Sequence, residues 1–332
     1  MNRIPMGKKK AAAKTANFER LSEKWQKRAK VSEPLANHTT FKLGGPARML
    51  IEIDNTEDLQ QLVRELTLFR LPWRLMGCGS NLLIADEGLA EVVVVFKCPA
   101  DAIRIEGEEV VVPAGVILSD LVEFAKENEL SGIEFAAGIP GTVGGAIFGN
   151  AGAFGRSISE TLSEASVLSR NASVYKAKCF ELDFKYRRSC LYETKDIVLE
   201  ARFRLEKSTK GEIEKKISEI MEIRREKHPN WCETPCAGSF FQNIDPPEGE
   251  DKRQAAGYLL EQAGAKDIKV GQARVYEKHA NILTAPEGSS TTDVIELAQQ
   301  LRKAVKEKFE IELMREVQIW PEDLGKDLPK YK

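Results

Sequence analysis

The chain has 332 residues, 42% hydrophobic and 30% charged, with a formal net charge of −2. That length suits two or three domains with real cores, and the near-neutral balance supplies no global field for nucleic acid. No basic stripe in the body of the chain replaces that field, and no apolar run approaches the roughly 20 residues that span a bilayer.

The opening segment MNRIPMGKKKAAAKTAN is basic but lacks the apolar centre of a secretory signal. Residues 1–17 are therefore expected to be a disordered tail, and the protein to be cytoplasmic. Cys78, Cys98, Cys179, Cys190, Cys232 and Cys236 show no disulfide framework. No second pair or His cluster joins Cys232 and Cys236, so reduced thiols are expected and no metal site.

In chain order, Phe18 to Lys30 reads as a short polar helix, and HTTFKLGGPARMLIEI as a turn running into a strand. Asn55 is placed to cap the next helix, with Glu57 and Asp58 in its first turn and Leu59, Leu62, Val63 and Leu66 as its apolar stripe. PWRLMG is a strand ending in the turn GCGSNLLIAD. EVVVVFK (91–97) and EVVVPAG (109–115) are short strands. Ser119 is a candidate cap for a helix whose buried face is Leu118, Leu121, Val122 and Ala125, with Gly132 past its end.

GIPGTVGGAIFGNAGAFG (138–155) is too glycine-dense to pack as an ordinary helix or strand. SVYKAKCFELDFKYRRS and DIVLEARFRL read as strands, and the charged stretch 206–226 as a helix at a boundary. The final third reads as strand (GSFFQN), helix (AAGYLLEQAGA), strand (HANILTA), helix and strand. In the last strand, IELMREVQIW, Leu313, Val317 and Ile319 share one face, and Met314, Glu316 and Gln318 the other. Strands alternating with helices argue for α/β layers.

Two glycine motifs carry a ligand reading. In GCGSNLL, Gly77 and Gly79 permit close backbone approach and positive φ, and consecutive amides can form an anion-binding nest. A plain tight turn explains the motif equally well. It is neither a dinucleotide fingerprint nor a P-loop. In the 138–155 stretch, Thr142, Asn150 and local amides can hold a diphosphate or a flavin edge, and the bland alternative is a compact loop.

FKYRRS places Tyr186, Arg187 and Arg188 at a strand end. A guanidinium binds two carboxylate or phosphate oxygens at once, though a pair of solvated arginines reads the same way. Ser239 follows Ala237 and Gly238. With no nucleophile elbow and three histidines, a Ser-His-Asp hydrolase is disfavoured. EKHAN (277–281) combines a cation, an imidazole and an amide. Glu316 alone reads as an exposed strand charge.

In this order, HTTFKLGGPA, GCGSNLL, GIPGTVGGAIFGNAGAFG, FKYRRS, CAGSFFQN, AAGYLLEQAGAK, EKHAN and ELMREV resemble the UDP-N-acetylenolpyruvoylglucosamine reductase family over roughly residues 35 to 320. The resemblance implies an α+β protein. A flavin-binding domain of the vanillyl-alcohol-oxidase type, with two α+β subdomains, would be followed by a C-terminal α/β substrate domain. The expected boundaries are 18–207 (subdomains split near 98–105), 208–322, and a tail at 323–332.

The resemblance also implies FAD contacts at Gly77, Cys78, Gly79, Ser80, Asn81, Leu82, Gly138, Ile139, Pro140, Gly141, Thr142, Gly144, Gly145, Asn150, Ala151 and Gly152. It implies catalytic roles for Arg187, Ser239 and Glu316. Tyr186, Lys227, Asn243, Lys278 and His279 are then the substrate-binding candidates. FAD, with NADPH as co-substrate, would reduce the enolpyruvyl ether of a UDP-amino sugar in a monomeric enzyme of cell-wall synthesis.

Short spacings from Arg187 to Ser239 and from Ser239 to Glu316 match the family's shorter class, which lacks an inserted tyrosine-bearing loop. Gln242 stands where a lysine is common, and Trp320 where a glycine is usual. The rival readings are another FAD oxidase or dehydrogenase of this fold, with Cys78 as a flavin tether, and a flavin-free nucleotide-binding module.

Overall fold

The computed structural model describes residues 6–246 and 253–330. The chain packs as two units that interleave in sequence. One comprises Met1–Glu33, Ala47–Gly77 and Ala90–Ile217, and the other Pro34–Pro46, Cys78–Leu89 and Ser218–Lys332. The expected cut near residue 207 follows chain order, whereas packing moves 34–46 and 78–89 to the C-terminal unit.

In the first unit, helix Met6–Lys24 takes in most of the stretch expected to be disordered. Residues 1–5 of that stretch lie outside the described residues. Lysine and alanine are strong helix formers, and the end of the helix is pinned. Phe18, Leu21 and Trp25 are buried, Trp25 Nε1 donates to Glu65 at 2.9 Å, and Lys24 pairs with the same carboxylate. Burial pushes the Glu65 carboxyl up, but hydrogen bonds from Lys24, Trp25 and Gln61 outweigh it and hold the group below its ordinary value. The helix does not reach Lys30, because Ala29–Pro34 is already a strand.

Two sheets follow. Ala29–Pro34, Pro46–Ile53, Leu89–Phe96 and Trp73–Met76 are neighbours in that order, with Trp73–Met76 parallel to Leu89–Phe96. Helix Thr56–Leu68 buries Leu59, Leu62, Val63 and Leu66 as expected, and Asn55 accepts from Asp58 N at 2.9 Å.

The second sheet is antiparallel: Val174–Lys178, Leu162–Leu168, Ile197–Arg204, Glu109–Pro113, Arg104–Glu106. Its strand Leu162–Leu168 escaped the sequence reading, because LSEASVL alternates weakly. The helix Leu118–Glu127 has Ile117 as its N-cap, without a side-chain bond. Ser119 lies inside the first turn, and Leu118 N donates to Gly141 O (2.9 Å). At the other end Glu129 takes φ 58° directly after the cap, and Gly132 follows past the helix as expected, at φ 129°. The Asn128 side chain donates to Phe124 O at 2.8 Å and closes that end without a glycine.

The second unit is built on an antiparallel sheet ordered Cys236–Ser239, His279–Thr284, Ala273–Tyr276, Lys269–Val270. Helices Ala256–Gln262 and Thr291–Phe309 pack with it around Phe240, Phe241, Leu259, Leu283, Leu297 and Leu301. Phe41 and Leu83, from the two early segments, lie in that same core.

Leu82–Ile84 pairs in parallel with Gln318–Trp320. Asp86 accepts from Thr291 N (2.9 and 3.0 Å), and Thr291 Oγ1 donates to Ile84 O (2.6 Å), so the long helix starts on the early segment. A Cβ at Gly45 would sit 2.0 Å from Asp86 O, which locks the two early segments together.

The last strand forms a continuous ladder at Gln318–Trp320 and an antiparallel bridge from Arg315 to Phe241, and the expected alternation survives along it: Leu313, Val317 and Ile319 are buried. Residues 323–330 do not trail away. Glu322–Gly325 forms a turn of 3₁₀ helix and Leu328 is buried.

Asn55→Ala is expected to cost about 1 kcal/mol, the usual loss for a removed N-cap. Urea unfolding followed by circular dichroism checks it, as a lower midpoint at unchanged slope.

Candidate active site

The 138–155 stretch is not a pure loop. It holds a short helix, Val143–Phe148, which Thr142 caps by accepting from Gly145 N at 3.3 Å. Its glycines serve two ends. Gly144 lets the stretch run against Ala114, whose Cβ would be 3.0 Å from an added Cβ. Gly77, ending a strand, has no room for a side chain because Thr142 Oγ1 would be 2.5 Å away. Gly152 faces Arg156 O at 2.4 Å in a narrow hairpin. These three satisfy the protein's own packing.

Gly145 differs. An added Cβ there would meet only Thr142 Oγ1, at 3.5 Å, so its face is open. The amides of Gly141 and Thr142 have no protein acceptor among the described residues. An open glycine face beside two spare donors fits an anionic, flat-edged cofactor. Ile139 N and Ala151 N are already used, donating to Ala136 O (3.0 Å) and Ala146 O (2.8 Å). Gly138 supplies a positive φ of 73° that turns the chain into Pro140 and Gly141.

The Asn150 side chain bonds within the protein. Its Nδ2 donates to Lys185 O (2.9 Å) and its Oδ1 accepts from Ser159 N (3.3 Å). Ser189 Oγ donates to Phe148 O at 2.7 Å, and Phe148 stacks on Tyr192 at 4.1 Å. The glycine stretch is thus the platform for FKYRRS.

That motif is a tight turn, not a strand end: Lys185 and Arg188 exchange backbone bonds of 2.9 and 3.2 Å. Tyr186 and Arg187 form its tip, and Arg187 sits at φ 57°. A non-glycine residue in that region carries strain that the surroundings must hold, a pattern common at functional sites. Arg188 pairs with Glu193, and the Arg187 guanidinium lies 5.1 Å from the Tyr186 ring centre.

In the second unit, the strand Cys236–Ser239 is bulged against His279–Thr284, and Gly238 takes φ 71°. Bulges re-aim side chains next to active sites. Phe240 and Phe241 anchor the segment in the core. Asn281 brackets them: Phe240 N donates to Asn281 O (2.8 Å), Phe241 N to its Oδ1 (2.9 Å), and its Nδ2 to Phe241 O (2.7 Å).

Glu316 N donates to Phe240 O at 2.8 Å, and Gln242 N to Met314 O at 2.9 Å. Ser239 and Glu316 therefore lie on adjoining segments. Asn81 joins them: its Nδ2 donates to Glu316 O (3.3 Å), and its carbonyl accepts from Gln318 N (3.0 Å). Nearby, Gly79 O accepts from Thr40 N (3.4 Å) and Ser80 O from Thr40 Oγ1 (3.5 Å), which shapes the turn from Cys78 to Leu82.

The substrate-binding candidates divide. Asn243 Oδ1 accepts from Ala256 N at 3.1 Å and so starts a helix. Lys227 ends helix Lys210–Lys227, and Lys278 is exposed in the turn before His279. The His228 and His279 rings lie 5.4 Å apart. Burial, then the neighbouring His279, Arg224 and Lys227, pull the His228 imidazole down to about 4. Burial also lowers His279.

The family description UDP-N-acetylenolpyruvoylglucosamine reductase, C-terminal domain, matches residues 229–320, and FAD binding domain matches 47–178. The UDP-N-acetylenolpyruvoylglucosamine reductase of Bacillus subtilis is 36% identical, over 91% of this chain and 97% of that protein. The chain belongs to the UDP-N-acetylenolpyruvoylglucosamine reductase family. Its counterpart in Caldanaerobacter subterraneus is 38% identical, over 87% of this chain and 92% of that protein. The crystal structure of the reductase from Thermus caldophilus superposes with a TM-score of 0.73 at 31% identity, covering 89% of this chain and 99% of that one.

Membership of this reductase family confirms the expected α+β class and the FAD-containing oxidoreductase reading, and it removes the flavin-free alternative. Sequence reasoning missed Asn281 as a bracket and Ser189 as a latch. Asn281 was read only within EKHAN, and Ser189 only as the end of FKYRRS.

Two outcomes are expected. Gly145→Val should fold but lose FAD, seen as a colourless protein with an unchanged far-ultraviolet spectrum, because the added branch enters open space and not a packed wall. His228 is the second case. Its folded-state value lies below the ordinary 6.5, so its stabilising contribution is present above pH 6.5 and lost as pH falls towards 4. His228→Gln should flatten that part of the wild-type urea-midpoint profile. Parallel profiles for both proteins would contradict it.

Proposed function

We propose that this chain reduces UDP-N-acetylglucosamine enolpyruvate to UDP-N-acetylmuramate with NADPH, as a cytoplasmic, monomeric enzyme of peptidoglycan synthesis. The observation that carries this reading is the junction at Phe240. There, one backbone carbonyl ties the Ser239 segment to the Glu316 segment, and Asn81 of the glycine turn holds the Glu316 carbonyl. Bound FAD would supply the hydride after recharging by NADPH.

The roles of the chain's residues follow from their chemistry. Once hydride reaches the terminal carbon of the enol ether, negative charge builds on the adjacent carbon and spreads into the carboxylate. Arg187, held at the tip of a braced turn, stabilises that charge where it develops. Ser239 delivers a proton to the carbon. A hydroxyl suffices, since a carboxylate-stabilised carbanion is basic enough to take a proton from an alcohol. Glu316 orients the carboxylate end through a shared proton or a water. Tyr186, Lys227, Asn243, Lys278 and His279 are assigned to the sugar nucleotide.

An anaerobic cycle tests the function: NADPH should bleach the flavin, and the UDP-enolpyruvyl sugar should restore its colour. Failure of the sugar to reoxidise a flavin that NADPH reduces would refute it. Ser239→Ala should leave NADPH-driven bleaching nearly intact and slow reoxidation by about 100- to 10,000-fold, the usual weight of a general acid. Ser239→Cys should keep part of the rate.

Arg187→Ala should both slow reoxidation and weaken substrate binding, because the guanidinium meets the carboxylate before and during reaction. Glu316→Gln keeps shape and a donor while losing charge, so it should bind substrate normally and turn over poorly. Stopped-flow reoxidation and spectral titration of oxidised enzyme separate the two effects. A Glu316→Gln enzyme with the parent's rate would make this residue a bystander.

A further inference from the structure

Arg315 is 4% exposed, yet its guanidinium sits among backbone carbonyls. Nε donates to Leu328 O (3.0 Å) and Nη1 to Val317 O (2.7 Å). Its own amide donates to Pro329 O (2.8 Å). The side chain therefore folds forward over Glu316 to grip the residue beyond it, while the backbone and Nε hold the C-terminal segment.

That segment is anchored in its own right. Leu328 is buried, and Leu328 N donates to Gly325 O (3.0 Å). Gly325 lies so close to Ile319 that an added Cβ would be 2.7 Å from its Cδ1. On the opposite side, Glu316 N is fixed to Phe240 O (2.8 Å) and Glu316 O to Asn81 (3.3 Å).

A buried guanidinium is expensive to desolvate, and replacing a buried charge by an apolar side chain of similar volume is often neutral or stabilising. Stability alone therefore gives little reason for an arginine here. Its planar fork, which satisfies several carbonyls in fixed directions, explains the choice better as a geometric device.

We propose that Arg315 and the C-terminal strap, residues 321–330, are a positioning unit for Glu316. The strap completes the shell of carbonyls around the Arg315 guanidinium. Arg315 then fixes the backbone from 315 to 317, and with it the direction in which the Glu316 side chain leaves the chain. Neither needs to touch substrate. The proposal rests on the role given above to Glu316.

The experiment uses the full FAD-loaded enzyme and both half-reactions. Arg315→Met fills the volume without the donors. Truncation after Asp323 removes the Leu328 and Pro329 carbonyls and leaves Arg315 intact. Each is expected to keep its FAD and its NADPH-driven bleaching. Each should slow reoxidation by the UDP-enolpyruvyl sugar on the order of 10- to 100-fold, the scale on which small misplacements act, in rate more than in binding.

Arg315→Lys should recover part of the loss. In a Glu316→Gln background, Arg315→Met should add little, because both changes remove one function. Normal reoxidation by Arg315→Met, or loss of FAD or equal slowing of both half-reactions in both variants, would overturn the proposal. A wild-type enzyme that the sugar does not reoxidise would instead refute the function itself.

Discussion

One carbonyl, that of Phe240, is the point on which the placement of Ser239 and Glu316 in the second unit depends. It accepts from Glu316 N at 2.8 Å, while the Phe240 ring is fully buried in the core. Hydrophobic packing and the placement of polar groups therefore meet in one residue. Packing fixes the ring, the ring fixes its backbone, and the backbone sets the spacing of Ser239 and Glu316. Asn281 makes the arrangement stiff by accepting two hydrogen bonds and donating one around Phe240 and Phe241 from a position 2% exposed. A buried amide with its donors and acceptors matched in this way specifies one geometry, since any slip leaves polar groups unsatisfied.

The first unit solves a related problem without a hydrophobic anchor at Arg187. Arg187 stands at the tip of a two-residue turn in a left-handed conformation. Such a conformation survives only when its neighbours over-determine it. Asn150 holds the carbonyl on one side of the turn and Ser189 ties down the other. Both bonds run to the stretch that also carries the open face of Gly145. The glycine stretch and the arginine turn are thus one mechanical element, with Asn150 as one of its ties.

Periodicity made the helices and central strands legible. Leu59, Leu62, Val63 and Leu66 were readable as a buried stripe because a helix repeats every 3.6 residues, and the alternation of Leu313, Val317 and Ile319 survived even where no ladder forms. Residue type made the chemistry legible only through order: Arg187, Ser239 and Glu316 each read blandly alone. Local pattern could not show that FKYRRS turns back on itself, since the turn is held by Asn150 and Ser189 through contacts 35 and 41 residues away in sequence. Glycine density is ambiguous for the same reason. Gly77, Gly144 and Gly152 answer to protein atoms, and sequence alone does not tell a close protein neighbour from a close ligand.

The interleaving of the units is the feature furthest from the sequence. Segments 34–46 and 78–89 come early in the chain and read as parts of the flavin domain, yet they pack with residues beyond 217. The physical cause is a set of specific closures. Leu82–Ile84 gives the final strand its only ladder partner among the described residues. Asp86 takes the first amide of the long helix, and Phe41 and Leu83 fill its core. The glycine turn that resembles a cofactor loop is therefore held in shape by C-terminal structure, and Asn81 in that turn holds Glu316. The stretch from Cys78 to Leu82 and the Glu316 backbone are linked through hydrogen bonds inside one packing unit. A change in the turn between Cys78 and Leu82 bears directly on Thr40, on Gln318 and on the Glu316 backbone, through the bonds each makes to it.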